Sequence, residues 1–126
     1  MSLVLDAGAF VAIEKSDRSV VALLKREFLA GRTPLTHGGV VGQVWRGGSG
    51  RQANLAKVLA GVEVRALDGA LGRRAGELLG QARASDVIDA AVALLAVDGD
   101  IILTSDPGDL ATLVAAAGTH ADIVPV

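Results

Sequence analysis

The sequence predicts a single three-layer α/β domain over residues 1–126, with a central parallel β-sheet of about five strands flanked by helices. Three observations predict it. Short aliphatic runs recur at residues 3–5, 62–65, 101–103 and 123–124, with a weaker one at 33–36. Between them lie longer Ala/Leu/Val segments whose apolar residues fall three and four apart, the spacing of a helix face. Short strands that alternate with helices need crossover connections and therefore pair in parallel. Finally, residues 87–97 are apolar on almost every face, which suits a helix packed between layers.

Taken in order, Leu3-Val4-Leu5 opens the chain as a strand, and Asp6 stands where it caps a helix over residues 9–15. Val20, Val21, Leu24 and Phe28 mark one face of the next helix. The weak strand at 33–36 leads into Gly38-Gly39, and residues 47–50 read Gly-Gly-Ser-Gly; both stretches are expected to be loops or helix breaks, too short for interdomain linkers. After the strand at 62–65, Asp68 caps a helix carrying Leu71, Ala75, Leu78 and Leu79. Asp86 opens the buried helix. Ile101-Ile102-Leu103 then gives a strand, and Asp106-Pro107-Gly108-Asp109 starts a last helix with a capping acid, Pro at its first position and an acid in its first turn.

Composition bounds the chemistry. A chain of 126 residues supports one domain of roughly 150 residues or fewer. It buries roughly two-thirds of its unfolded surface, so it needs no staples. There is no cysteine, which excludes thiolate metal sites, thiol catalysis and disulfides. An apolar content of 51% with a net charge of −2 excludes intrinsic disorder. One Trp, two Phe and no Tyr cannot build a platform for stacking successive bases, and an isoelectric point near 5.6 gives no excess of cations for bulk phosphate neutralisation. Any contact with nucleic acid is therefore local. Mean hydropathy is +0.47, yet no apolar stretch approaches the ~20 residues of a spanning helix. The first residues lack a basic segment and reach Asp6 too soon for a secretory leader. The expectation is a cytoplasmic protein with no membrane association.

The acids carry the functional signal. Chemistry in an open parallel sheet gathers beyond the carboxyl ends of its strands. Asp6 follows the first strand, Asp106 follows the fourth after Thr104 and Ser105, and Asp86 and Asp89 lie on one face of the buried helix's first turn. Asp109 stands to Asp106 as Asp89 does to Asp86. Taken singly, each acid is explained by helix capping. Convergence of several carboxylates is not, because they repel one another unless one holds a proton or a cation is present. Mg²⁺ and Mn²⁺ prefer such all-oxygen sites. Capping and ligation are compatible roles for one Asp.

These residues resemble a known family. The opening Leu3-Val4-Leu5-Asp6-Ala7-Gly8-Ala9, the helix start Asp86-Val87-Ile88-Asp89-Ala90-Ala91 and the turn Leu103-Thr104-Ser105-Asp106 look like PIN-domain ribonucleases, most of all the VapC-type toxins of toxin–antitoxin pairs. The resemblance runs over the whole chain in the right order. It implies a Mg²⁺- or Mn²⁺-dependent endoribonuclease that cuts tRNA or ribosomal RNA, forms a homodimer and is held inactive by a cognate antitoxin. Carried onto this sequence, it makes Asp6, Asp86 and Asp106 the catalytic, metal-binding acids. Thr104 is a polar support beside the metal, and Asp89 and Asp109 are supporting or additional ligands.

One position departs from the family pattern. Where the helix after the second strand normally supplies Glu, this chain has Gln43. A Gln offers a carbonyl oxygen but no charge and no general base. Asp89 could restore the charge; Glu14, about 12 Å along its helix from Asp6, is a poorer substitute. The alternative reading is a catalytically weakened PIN-like module that mainly binds an antitoxin or RNA. Two other classes with acids at strand ends fit less well. A phosphoacceptor receiver needs a Lys near the last strand, and no Lys follows Lys57; a hydrolase with a DxD nucleophile fails because Ala7-Gly8 follow Asp6.

The remaining polar residues have plainer readings. Arg46 and Arg51 flank the glycine-rich loop and are candidate RNA-phosphate contacts, or else solvated arginines. Trp45 reads as core or interface packing, and His37 as a loop histidine with a phosphate contact as the alternative. Lys57, Arg73, Arg74, Arg83, Glu63, Glu77, Asp98 and His120 read as surface groups.

Overall fold

The computed structural model describes residues 1–48 and 50–126; Ser49 of the glycine-rich loop lies outside the described residues. The chain begins with β1 (Leu3–Leu5), α1 (Ala7–Glu14) and α2 (Arg18–Leu29), then β2 (Leu35–His37) and α3 (Gly38–Val44). A 3-10 turn at Gly50–Gln52 leads to α4 (Ala53–Ala60) and β3 (Glu63–Arg65). Next come α5 (Gly69–Ala82), α6 (Val87–Leu95), β4 (Ile101–Thr104), α7 (Pro107–Ala116) and β5 (Asp122–Pro125). Among the described residues the five strands form one sheet in the order β3-β2-β1-β4-β5, and every pair is parallel. The three-layer α/β architecture read from the sequence is the one observed.

Helices α2, α3 and α4 pack with α1, while α5, α6 and α7 pack with one another on the opposite side of the sheet. The central strand β1 is wholly apolar and wholly buried, as a strand covered on both faces must be. It lies between β2 and β4, with Leu3, Val4 and Leu5 opposite Ile101, Ile102 and Leu103. Asp100 fixes this register from outside. Its carboxylate accepts from the Ser2 N–H at 2.8 Å and from the Val97 N–H at 2.9 Å, tying the entry of β1 to the entry of β4. At the other end the Thr36 hydroxyl donates to the Leu5 carbonyl at 2.8 Å, holding β2 to β1 where the chain leaves the sheet.

Helix α6 rests on β1 and β2 and is covered by α5 and α7. Ala90, Ala91, Val92 and Ala93 are all fully buried. Small side chains let the helix sit close to the sheet while Leu95 and the large core residues Phe10, Ile102 and Leu103 fill the layers on either side. Burial of each such large side chain is worth about 1.5–3 kcal/mol.

Most boundaries shift by a residue or two from the sequence expectation, and three differences have a physical reason. The second strand falls at Leu35–His37 instead of 33–36, since Pro34 has no N–H to give a ladder. The buried helix stops at Leu95. Gly38-Gly39 is no loop but the start of α3. His37 caps that helix, its Nδ1 accepting from the Gly39 N–H at 3.0 Å. A Cβ on Gly39 would stand 2.5 Å from Ile88 Cδ1 and 2.9 Å from Cε1 of the His37 ring, whose two hydrogen bonds hold it in place, so a larger residue there would displace one of them.

Candidate metal centre

β1 and β4 are neighbours whose connections leave to opposite sides of the sheet, so their carboxyl ends flank a topological switch point. Asp6 and Asp106 arrive there from these two strands. Asp6 is buried and caps α1, its Oδ1 accepting from the Ala7 N–H at 2.8 Å. Its other oxygen, Oδ2, accepts from the Thr104 hydroxyl at 2.7 Å. The same Thr104 oxygen accepts from the Asp106 N–H at 3.0 Å. One buried hydroxyl thus spaces two acids from separate strands.

Close approach of the strand ends is permitted by Gly8. A Cβ there would lie 2.7 Å from both Cβ and Oγ of Ser105 and 2.8 Å from its backbone nitrogen. Helix α1 can therefore begin hard against the turn that carries Asp106. From the second layer, α6 delivers Asp89, which is 7% exposed. Its backbone is fixed by Asp86, whose Oδ1 accepts from the Asp89 N–H at 3.1 Å. His37 steadies the same turn by donating from Nε2 to the Ile88 carbonyl at 3.0 Å. With Nδ1 already accepting, this tautomer is neutral, and burial lowers its pKa below the ordinary value.

Asp6, Asp89 and Asp106 each offer a carboxylate oxygen within 4.8 Å of the others. No ion pair among the described residues involves any of them. The cost falls on Asp89, whose pKa is raised to about 7, first by burial and then by the charges of Asp6, Asp86, Asp106 and Asp109. A set of oxygen donors that share charge at short range, lack a cationic partner and hold one proton near neutrality is able to hold a metal ion.

Placement of the expected site residues is uneven. Asp6 and Asp106 converge, and the third member of the group is Asp89. Asp86 is exposed and serves as N-cap of α6. Asp109 is exposed on the first turn of α7. A cleft of about 260 Å³ opens beside the acids, lined by Arg83, Ser85, Asp86, Asp89, Asp109 and Thr112 among others. Gln43 stands exposed on α3, outside the group of three acids. Arg46 and Arg51 are exposed on the loop after α3.

Capping accounts for Asp6, Asp17, Asp68 and Asp86, each of which accepts an N–H in a first turn. It does not account for Asp106, whose side chain makes no capping bond although it occupies the N-cap of α7. One buried polar residue near α1 carries no signal in the sequence. The buried Gln52 donates to Glu14 Oε1 at 2.7 Å and to the Val44 carbonyl at 2.8 Å, and it accepts from the N–H groups of Arg46 and Gly47. Glu14 is thereby committed to the loop and not to the acids. Gly8 lies within the motif at residues 3–9, where the sequence marks it only as a small residue at a helix start.

No family model and no curated protein matches this sequence. Among solved structures, the chain is similar to one in the crystal structure of VapBC2 from Rickettsia felis bound to a DNA fragment from their promoter. That match has a TM-score of 0.70 at 16% identity, and it covers 98% of this chain and 99% of the other. The likeness extends over the whole architecture, and this chain therefore shares the parallel-sheet α/β fold of that neighbour.

Proposed function

We propose that this protein is a divalent-metal-dependent endoribonuclease that hydrolyses RNA phosphodiester bonds and acts as the toxin of a toxin–antitoxin pair. The observation that carries the reading is the convergence of Asp6, Asp89 and Asp106 at the switch point of a PIN-like sheet, with no ion pair to any of them among the described residues. Asp6, Asp89 and Asp106 would hold Mg²⁺ or Mn²⁺, and Asp86 and Asp109 would add negative charge at the rim. A bound divalent cation supplies polarisation of the phosphodiester and acidification of a water nucleophile. The chain's own part is positional. Thr104 holds Asp6 and the backbone of Asp106 in fixed relation, Asp86 and His37 hold the first turn of α6, and Asp89, its pKa raised to about 7, would lose its proton beside a bound cation.

A partner is part of the same reading. The similar structure is of VapBC2 with promoter DNA, which supports a cognate antitoxin for this chain. A groove of about 470 Å³ whose lining combines Ile13, Val21 and Val58 with Arg18, Lys25 and Lys57 suits a protein segment. No helix among the described residues is long and apolar enough to cross a membrane. We place the protein in the cytoplasm, as a homodimer, acting on RNA of the tRNA or ribosomal class.

The test is incubation of the purified protein with total RNA and Mn²⁺, beside an Asp6→Ala control. New fragments in the first and none in the second are expected; indistinguishable patterns would remove catalysis from this site. Gln43 supports a second reading, a weakened module that mainly binds. A large gain of activity in Gln43→Glu would favour it, whereas little change means the native acids suffice.

A further inference from the structure

Trp45 is the only tryptophan of the chain, and it is 40% exposed, unlike the buried residue its composition suggests. It stands at the end of α3 and is followed by Arg46, Gly47 and Gly48 and, before Gln52, by Gly50 and Arg51. Residues 45–51 hold two arginines and no acid. A loop this rich in glycine would ordinarily be slack, and Gly47 and Gly48 do take positive φ of 71° and 77°. Here it is clamped from within. The Gln52 amide makes four hydrogen bonds, to the N–H groups of Arg46 and Gly47, to the Val44 carbonyl and to Glu14. The Arg46 guanidinium lies back on the Gly42 and Trp45 carbonyls, which completes the end of α3 and leaves most of its five N–H groups to solvent.

The clamp also fixes the loop relative to the acids. Glu14 is the last residue of the eight-residue helix α1, which starts directly after Asp6, so the side chain that Gln52 grips is joined to Asp6 by a rigid rod with a rise of about 12 Å. An exposed indole on a loop that also carries two exposed arginines has the makings of a base-and-phosphate contact: the ring stacks on a base face and the arginines bond the backbone. A second copy of this chain fits less well, because a two-fold contact would set these arginines against their own images.

We propose that Trp45 stacks on one unpaired base of the RNA substrate, with Arg46 and Arg51 holding the flanking phosphates and Gln52 positioning the loop. The proposal rests on the nuclease reading for its substrate and narrows it to RNA with a single-stranded nucleotide near the cleaved bond. One indole serves one base, which agrees with the poverty of aromatics elsewhere.

The sole tryptophan reports its own contact. A mixed-sequence single-stranded RNA dodecamer, and the same sequence as a duplex, are titrated into the full chain in EDTA while indole emission is followed. Saturable quenching by the single strand and little by the duplex is expected. With the RNA end-labelled and its anisotropy followed instead, Trp45→Ala should bind the single strand about 5- to 100-fold more weakly, and Trp45→Phe should recover most of that loss. Gln52→Ala, which touches no RNA, should weaken binding and raise the mobility of Trp45 in fluorescence anisotropy. Unchanged emission together with unchanged affinity of Trp45→Ala would overturn the proposal. Emission that depends on protein concentration without RNA would also overturn it, by placing a second copy on the loop. Because EDTA prevents cleavage, the two readings fail separately: cleavage in Mn²⁺ without quenching removes only the stacking contact, and quenching without cleavage removes only the nuclease.

Discussion

Asp86 and Asp89 show how two chemically equal acids one helical turn apart come to different work. Asp86 lies at the mouth of α6, where its oxygen is spent on the Asp89 N–H, and Asp89 lies under it against Asp6 and Asp106. Asp86→Asn keeps a capping side chain and should leave Mn²⁺ affinity and RNA cleavage within a few-fold of wild type, while Asp86→Ala should cost about 1 kcal/mol of stability in denaturant titration. Asp89→Asn should reduce cleavage by two orders of magnitude or more. It should also stabilise the metal-free protein at neutral pH and above. Asp89 has its pKa raised to about 7 from 3.8, so its contribution to stability is complete below about pH 4 and is lost as pH rises toward and past 7. His37 acts in the opposite sense, since a lowered pKa makes its contribution present above its ordinary value of 6.5 and lost as pH falls. The clean observable is therefore a difference: thermal midpoints of Asp89→Asn minus wild type, in EDTA, should grow between pH 5 and 8.

At the scale of elements, the site depends on two close approaches that glycine permits. Gly8→Ala would drive a methyl into Ser105 and push the start of α1 away from the turn before α7. Far-ultraviolet circular dichroism should be unchanged, with Mn²⁺ affinity down by about tenfold, because the displaced groups are Asp6 and Asp106. These elements differ in how far they were legible. β1, β4 and α6 are continuous apolar runs bounded by acids, and local pattern suffices for them. β2 was placed two residues early because its start is set by Pro34 and its end by His37, a residue whose buried role appears only when α6 packs on it. The choice of Asp89 over Asp86 was likewise invisible to spacing, since both lie on one face of one turn; depth below the surface separates them, and depth is a tertiary property. Gln52 gave no local signal at all, because its four partners lie on α1, α3 and the loop between α3 and α4.

For the whole molecule, the slight net negative charge takes on a location. Five of the fourteen acids, Asp6, Asp86, Asp89, Asp106 and Asp109, are coupled at one edge of the sheet, while the basic residues Arg46 and Arg51 stand on a clamped loop one helix away. A protein built this way carries its electrostatic cost in the metal-free state and recovers it on cation binding. Mn²⁺ should therefore raise the thermal midpoint more at pH 8 than at pH 5.5, where Asp89 holds its proton. The most direct measurement is calorimetric titration of Mn²⁺ into the wild-type protein and into Asp106→Asn at pH 8, since Asp106 is exposed and caps nothing, so its loss spares the fold. Saturable binding by the wild type, weakened more than about tenfold in the variant, is the predicted result; equal binding by the two, or none by the wild type, would contradict a metal centre at these acids.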